Sequence, residues 1–178
     1  YDLAAYREIF GFPIERYYIR AGFDFQRHPY PELAARFMEH YNAGVDACPP
    51  SRHAADTLAE LSRRGWRHSI LSASRRDYLI EQVAARGLQG FFTELLGLAD
   101  IYGVSKVQVG LDYLHRSGLD PAACVMIGDT THDAEVAAAL GTRCVLYTGG
   151  YQSRARLEAV CGHIIDDLAQ LPELLDTL

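Results

Sequence analysis

From position 51 onward the sequence repeats one pattern: a short apolar run, a stretch of helical periodicity, then another apolar run. The runs are His68-Ser69-Ile70-Leu71, Glu94-Leu95-Leu96-Gly97, Cys124-Val125-Met126-Ile127, Arg143-Cys144-Val145-Leu146-Tyr147 and His163-Ile164-Ile165. Helical patterns lie between and after them, near 53–64, 76–86, 105–117, 131–140, 153–160 and 168–177. Strand–helix alternation with short connections is how βαβ units are written, and strands that are apolar throughout belong to a parallel sheet covered on both faces. The expectation is an α/β fold of three layers, with a Rossmann-like parallel sheet between helices.

Residues 1–47 follow a different rule. Aromatics crowd this stretch (Tyr6, Phe10, Phe12, Tyr17, Tyr18, Phe23, Phe25, Tyr30, Phe37, Tyr41), and helical patterns fit near 2–9, 14–21 and 30–43. Pro13 and Pro31 suit first helical turns and Gly44 suits a C-terminal cap. No β-alternation appears, so this is a small all-helical unit. Cys48-Pro49-Pro50-Ser51 separates it from the rest of the chain. The expected division is therefore a partial helical lobe at 1–47 and an α/β core at 48–178.

Charge and composition remove several classes of function. A formal net charge of -6 and no basic stripe argue against nucleic acid. Arg63-Arg64, with Arg67 just beyond, sit at a helix end, where cations are ordinary. No apolar stretch approaches the ~20 residues that span a bilayer, so no membrane partner is expected. Cys48, Cys124, Cys144 and Cys161 form no CxxC pair; Cys124 and Cys144 fall in apolar runs and read as buried core residues. A reduced, cytoplasmic setting is expected. Oligomeric state leaves no mark in the sequence.

In an open parallel sheet, ligands bind beyond the carboxyl ends of the strands. Three such loops carry chemistry. In Ile70-Leu71-Ser72-Ala73-Ser74, Ser72 is read as ending a buried strand, where its hydroxyl and the Ala73 backbone N–H can hold an anionic oxygen; a serine there is also an ordinary turn or cap residue. In Val104-Ser105-Lys106-Val107-Gln108, the S-x-x-Q spacing is a capping box that starts a helix. It puts Lys106 at the positive end of the helix dipole, unless that lysine is simply solvated. In Val125-Met126-Ile127-Gly128-Asp129-Thr130-Thr131-His132-Asp133, an apolar strand ends in glycine and two carboxylates follow four residues apart. Paired hard oxygen donors suit Mg2+, which binds through one or two carboxylates plus water and phosphate. His132 between them is given no role. Hydroxyl, cation and carboxylate pair, each after a successive strand, describe a cradle for a transferring phosphoryl group.

In order and spacing these loops resemble motifs two, three and four of the haloacid dehalogenase superfamily, over roughly residues 50–150. The likeness is to its phosphoglycolate-phosphatase-like members. The resemblance implies a HAD-like core and, for 1–47, the helical cap inserted after motif one. It implies hydrolysis of a small-molecule phosphate ester with Mg2+ through an aspartyl-phosphate. Ser72 and Ala73 would bind the phosphoryl group, and Lys106 would neutralise it together with the nucleophile. Asp129 would ligate the metal, and Asp133 would ligate it or orient a ligand. The first motif of the family, DxDGT or DxNGT, occurs nowhere in the 178 residues; the aspartates before Ser72 are Asp2, Asp24, Asp46 and Asp56, and none precedes Gly-Thr. The expectation is that a central strand with the nucleophile lies upstream of Tyr1, and that this chain alone does not hydrolyse phosphate esters.

Three rivals stay open. A phosphomutase shares every residue named. A 2-haloacid dehalogenase needs no metal, and such enzymes generally lack the carboxylate pair of Asp129 and Asp133. A non-catalytic interaction protein on the same scaffold is the third. Arg16 and Arg20 share a helical face beside Tyr17 and Tyr18, where they either meet a second anionic group of the substrate or lie in solvent.

Overall fold

The computed structural model describes residues 1–98 and 105–178. Val104, the first residue of the lysine loop, lies outside them. Residues 1–47 form three helices and a short 3-10 turn, with no strand: α1 (Leu3–Ile9), α2 (Ile14–Arg20), α3 (Tyr30–Gly44) and the turn Val45–Ala47. Asp2 caps α1 by accepting from the Ala5 N–H at 2.8 Å, and Pro31 stands in the first turn of α3. Gly44 is not the expected left-handed cap: its φ is -109° and the chain runs on into the 3-10 turn, so no positive φ is required. Several of the aromatics pack on one another within the lobe, while Phe12, Phe23 and Phe37 are exposed. Tyr18 is buried, edge-on to Phe23 and packed on Tyr30.

The α/β part consists of α4 (Ala54–Arg63), β1 (His68–Arg75), α5 (Arg76–Ala85), β2 (Phe92–Leu98), α6 (Lys106–Ser117), β3 (Val125–Gly128), α7 (Thr131–Leu140), β4 (Arg143–Tyr147), α8 (Arg154–Glu158), β5 (Ile164–Ile165) and α9 (Leu171–Leu175). Every strand pairing among the described residues is parallel. The main core forms where Val145 and Ile165 meet Leu61 of α4 and Leu171 and Leu175 of α9. On β4, Leu146 points to the opposite face, and like Val136, Ala137 and Leu157 it is shut off from solvent.

The strands do not form one sheet. β1 pairs with β2, while β3, β4 and β5 form a second sheet in that order. Among the described residues β1 and β3 each keep one edge without a strand partner. Both edges line a cavity of about 820 Å³ that also touches Leu61 of α4 and Gly110 of α6. Helix α6 bridges the two sheets. A Cβ on Gly110 would sit 2.8 Å from Leu140 of α7 and 3.1 Å from Leu71 of β1, so the helix lies hard against both.

The open edges change the burial expected from the apolar runs. Ile127, in a strand read as fully buried, is 37% exposed. Cys124, likewise read as a core strand residue, stands just before β3 at the end of a 3-10 turn and is half-buried. Ser72 does not stand at the strand end where the apolar run puts it. Strand β1 runs to Arg75, with a register irregularity between Leu71 and Arg75, and α5 begins at the next residue.

Candidate functional site

The loop from β3 into α7 is built by local hydrogen bonds. Thr130 caps α7, its side chain accepting from the Asp133 N–H, while Asp133 reaches back to the Thr130 N–H in a full capping box. Asp133 is 6% exposed. Its Oδ2 accepts from the Asp129 N–H at 3.1 Å, the Thr130 N–H at 3.1 Å and the Thr130 hydroxyl at 2.7 Å. Its Oδ1 accepts from Lys106 Nζ at 2.5 Å. Burial alone would raise this carboxyl's pKa; the Lys106 ammonium and the converging donors outweigh it and hold it below the usual carboxylate range. Gly128 makes the turn possible, since a Cβ there would run into the Asp133 side chain.

Asp129 has the opposite electrostatics. Among the described residues its side chain accepts one bond, from the Tyr151 N–H to Oδ2 at 3.0 Å, in the loop after β4. Burial raises its pKa, and repulsion from Asp133 adds to that shift. A Cβ on Gly150 would collide with this carboxylate, so the glycine lets the loop backbone close over it. Asp129 is thus a carboxylate held in place, short of partners, in a setting that favours a cation beside it.

The structure brings Lys106, Asp129 and Asp133 together. Lys106 stands at the start of α6 behind Ser105, whose hydroxyl accepts from the Gln108 N–H at 3.2 Å as expected, while the Gln108 side chain bonds Asp112 and does not close the capping box. Ser72 and Ala73 lie outside this group. Among the described residues, the Ser72 hydroxyl accepts one bond, from the Ser74 N–H at 3.0 Å. Since β1 and β2 run parallel, and α6 comes after β2, the Ser72 end of β1 points the same way as the Lys106 end of α6. Among the described residues, no group of three or more His, Cys, Asp and Glu side chains is arranged to hold a metal ion. A donor set of one under-used carboxylate still fits Mg2+, which keeps most of its shell as water and phosphate oxygen. Asp133, with both oxygens engaged, fits an orienting part better than a ligand's.

Helix α1 and the loop after β4 pack together beside the site. Phe10 lies 5.2 Å from Tyr151 and 5.4 Å from Tyr6, ring centre to centre, and Tyr17 completes the cluster. The Tyr6 phenol is pushed above its ordinary range by burial, then by Tyr17 and Tyr151, and Asp129 adds to the shift. Phe12 packs on the His132 ring at 4.9 Å, and His132 bonds Glu135 rather than either aspartate. Arg16 and Arg20 are exposed. Three residues of the site, Thr130, Tyr151 and Gln152, receive no role from the sequence alone. The T-x-x-D spacing of Thr130 and Asp133 is a readable capping signal. Nothing in Gly149-Gly150-Tyr151-Gln152-Ser153 announces a backbone N–H aimed at an aspartate 22 residues earlier.

A profile described as "Haloacid dehalogenase-like hydrolase" matches residues 1–147. The chain is 30% identical over 135 residues to a phosphoglycolate phosphatase of Synechococcus elongatus, covering 74% of this chain and 63% of that protein. It is 27% identical over 149 residues to a phosphoglycolate phosphatase of Haemophilus influenzae, covering 81% of this chain and 66% of that one. The chain therefore spans just under two thirds of the length of these relatives. Its fold is similar to a haloacid dehalogenase-like family hydrolase of Streptococcus pneumoniae, with a TM-score of 0.79 at 20% identity over 93% of this chain and 77% of that one.

Proposed function

The chain belongs to the haloacid dehalogenase-like hydrolase family, and from that premise we propose that it carries the charge-neutralising part of a magnesium-dependent phosphatase acting on a small-molecule phosphomonoester. The observation that carries this reading is the Lys106–Asp133 ion pair set beside the partner-poor Asp129. Phosphoryl transfer asks a protein for positioned charge more than for covalent chemistry, and this group supplies both signs at one spot. Lys106 faces the developing negative charge. Asp133 fixes the direction of Lys106 and, through two backbone amides, the placement of Asp129. Asp129 would hold Mg2+, which supplies Lewis-acid neutralisation of the phosphoryl oxygens when bound. Ser72 and the Ala73 N–H would take a phosphoryl oxygen once a strand is seated against the open edge of β1.

The nucleophilic aspartate belongs, in this proposal, to a strand outside the 178 residues that fills the cavity between β1 and β3. Two edges facing one slot, without strand partners among the described residues, support that reading, because buried backbone N–H and C=O groups need partners. Residues 1–47 would act as the cap. A second cavity, of about 480 Å³, runs from Tyr151 between α3 and α5, past Tyr41, Val45, Ile70 and Val83, and offers room for a leaving group. Among the described residues no helix is long and apolar enough to cross a membrane. The four cysteines are free thiols, which suits a reducing compartment, and we place the protein in the cytoplasm.

The test is hydrolysis of p-nitrophenyl phosphate with magnesium, by the 178-residue chain and by a form extended to include a D-x-D-G-T strand. The short chain is expected to be inert. The extended form is expected to turn over, to stop in EDTA, and to fall by about 100-fold or more in Asp129→Asn or Lys106→Met. Turnover by the short chain overturns the placement of the nucleophile, and an inert extended form overturns the phosphatase. Full activity in EDTA would overturn the magnesium requirement.

A further inference from the structure

Among the described residues Gln152 is the most completely buried polar side chain, at 0% exposure, yet it sits in a loop. Its amide is used at both ends. Oε1 accepts from the Thr131 N–H at 2.7 Å, in the first turn of α7, and Nε2 donates to the Phe10 carbonyl at 3.1 Å, just past the end of α1. One partner is a donor and the other an acceptor, so only this orientation of the amide satisfies both.

Helix ends leave carbonyls without partners inside the helix. At the end of α1 they are claimed by the segment after β4. Arg156 donates to the carbonyls of Arg7, at 3.0 Å, and of Phe10, and Arg7 in turn donates to the Gly150 carbonyl at 2.9 Å. A cation at a helix C-terminus is also favoured by the dipole. The grip is therefore reciprocal: side chains from 152 and 156 hold α1, and a side chain of α1 holds residue 150. Residue 150 is where the backbone closes over Asp129, and Thr131 is two residues beyond Asp129.

We infer that Gln152 is a positioning residue, whose amide ties the lobe formed by residues 1–47 to the Asp129–Asp133 loop. This rests on the phosphatase reading for its purpose, though the tie itself does not. Arg156 and Arg7 support the tie at the α1 end, while Gln152 reaches both the helix and the carboxylate loop. Loosening it would let Tyr6 and Phe10 drift from Asp129 without unmaking either half.

The experiment is amide hydrogen exchange by NMR on the 178-residue chain and two variants. Gln152→Glu keeps an acceptor for the Thr131 N–H but sets a carboxylate oxygen against the Phe10 carbonyl. The Phe10 amide, which closes α1 on Tyr6, is expected to exchange about tenfold faster while Thr131 stays protected. Gln152→Met keeps the volume and removes both bonds, so Phe10 and Thr131 should both exchange faster, with β4 amides unchanged. Wild-type exchange at Phe10 and Thr131 in the methionine variant would reduce Gln152 to a space-filler and overturn the inference. So would equal loss of protection throughout β4, which would make Gln152 a general core residue. If the glutamate variant does not fold, the methionine variant decides alone. No step involves turnover, so failure here is separable from failure of the phosphatase reading.

Discussion

The Asp129–Asp133 loop, at the end of β3, and the Ser72 segment, in the irregular second half of β1, are made in different ways. The 129–133 loop is fixed mainly by bonds reaching a few residues away, a capping box and two amides on one carboxylate oxygen, with the Lys106 ammonium, 27 residues earlier, on the other. Among the described residues the Ser72 hydroxyl makes one local bond, and its strand has an irregular register and borders an open sheet edge. The same contrast runs through the sheets behind them. Val145 and Leu146 of β4, flanked on both sides by strands, are fully buried, whereas Ile127 on the edge strand β3 is not. Geometry that a chain writes locally is complete here; geometry that depends on a neighbouring strand is left loose.

Removing one side chain from each loop puts this contrast to its hardest test. Asp133→Ala strips four bonds and leaves Lys106, whose side chain is only 13% exposed, without its counter-charge. Breaking one partner of a buried pair typically costs about 3–5 kcal/mol. Ser72→Ala removes a single bond to a neighbouring amide and should stay within about 0.5 kcal/mol of the parent. Urea denaturation of both variants is the measurement, and similar costs would show that the Ser72 loop is as firmly built as the other.

How far the sequence can be read divides along the same line. Helices α4 to α7 fall within a residue or two of where periodicity and caps put them, because those signals are local. The Lys106 and Asp129 to Asp133 loops are legible for that reason as well. The features that escape the sequence depend on partners far along the chain. An apolar run shows where burial stops and not where backbone pairing does, so it puts the end of β1 at Ser72 when the strand continues to Arg75. The continuous burial expected of β3 fails at Ile127 because burial requires a neighbour on each edge. Gln152 gives no signal, its two partners lying 21 and 142 residues away.

Core truncations in the second sheet extend the contrast from loops to strands. Leu146→Ala, at a site with no solvent contact, is expected to cost about 2–5 kcal/mol. Ile127→Ala faces the open cavity, where the lost methylenes leave no new void, and should cost under about 1 kcal/mol. Thermal melts of the two variants give the difference. An Ile127 cost matching that of Leu146 would mean the cavity is closed in solution.

A weaker signal, a pH dependence, comes from the loose half. His68 opens β1 at the cavity, and burial holds its pKa below the ordinary histidine value, with a backbone bond pulling weakly the other way. A lowered folded pKa means that the unfolded chain binds the proton more readily. Stability from this residue is therefore full above the ordinary value of about 6.5 and is lost as pH falls below it. His68→Gln should flatten the slope of unfolding free energy between about pH 5 and 7 while leaving stability near pH 8 little changed. If a strand fills the cavity in an extended form of the protein, His68 becomes more enclosed and the slope should steepen there. An identical slope in both forms would place that strand somewhere other than beside β1.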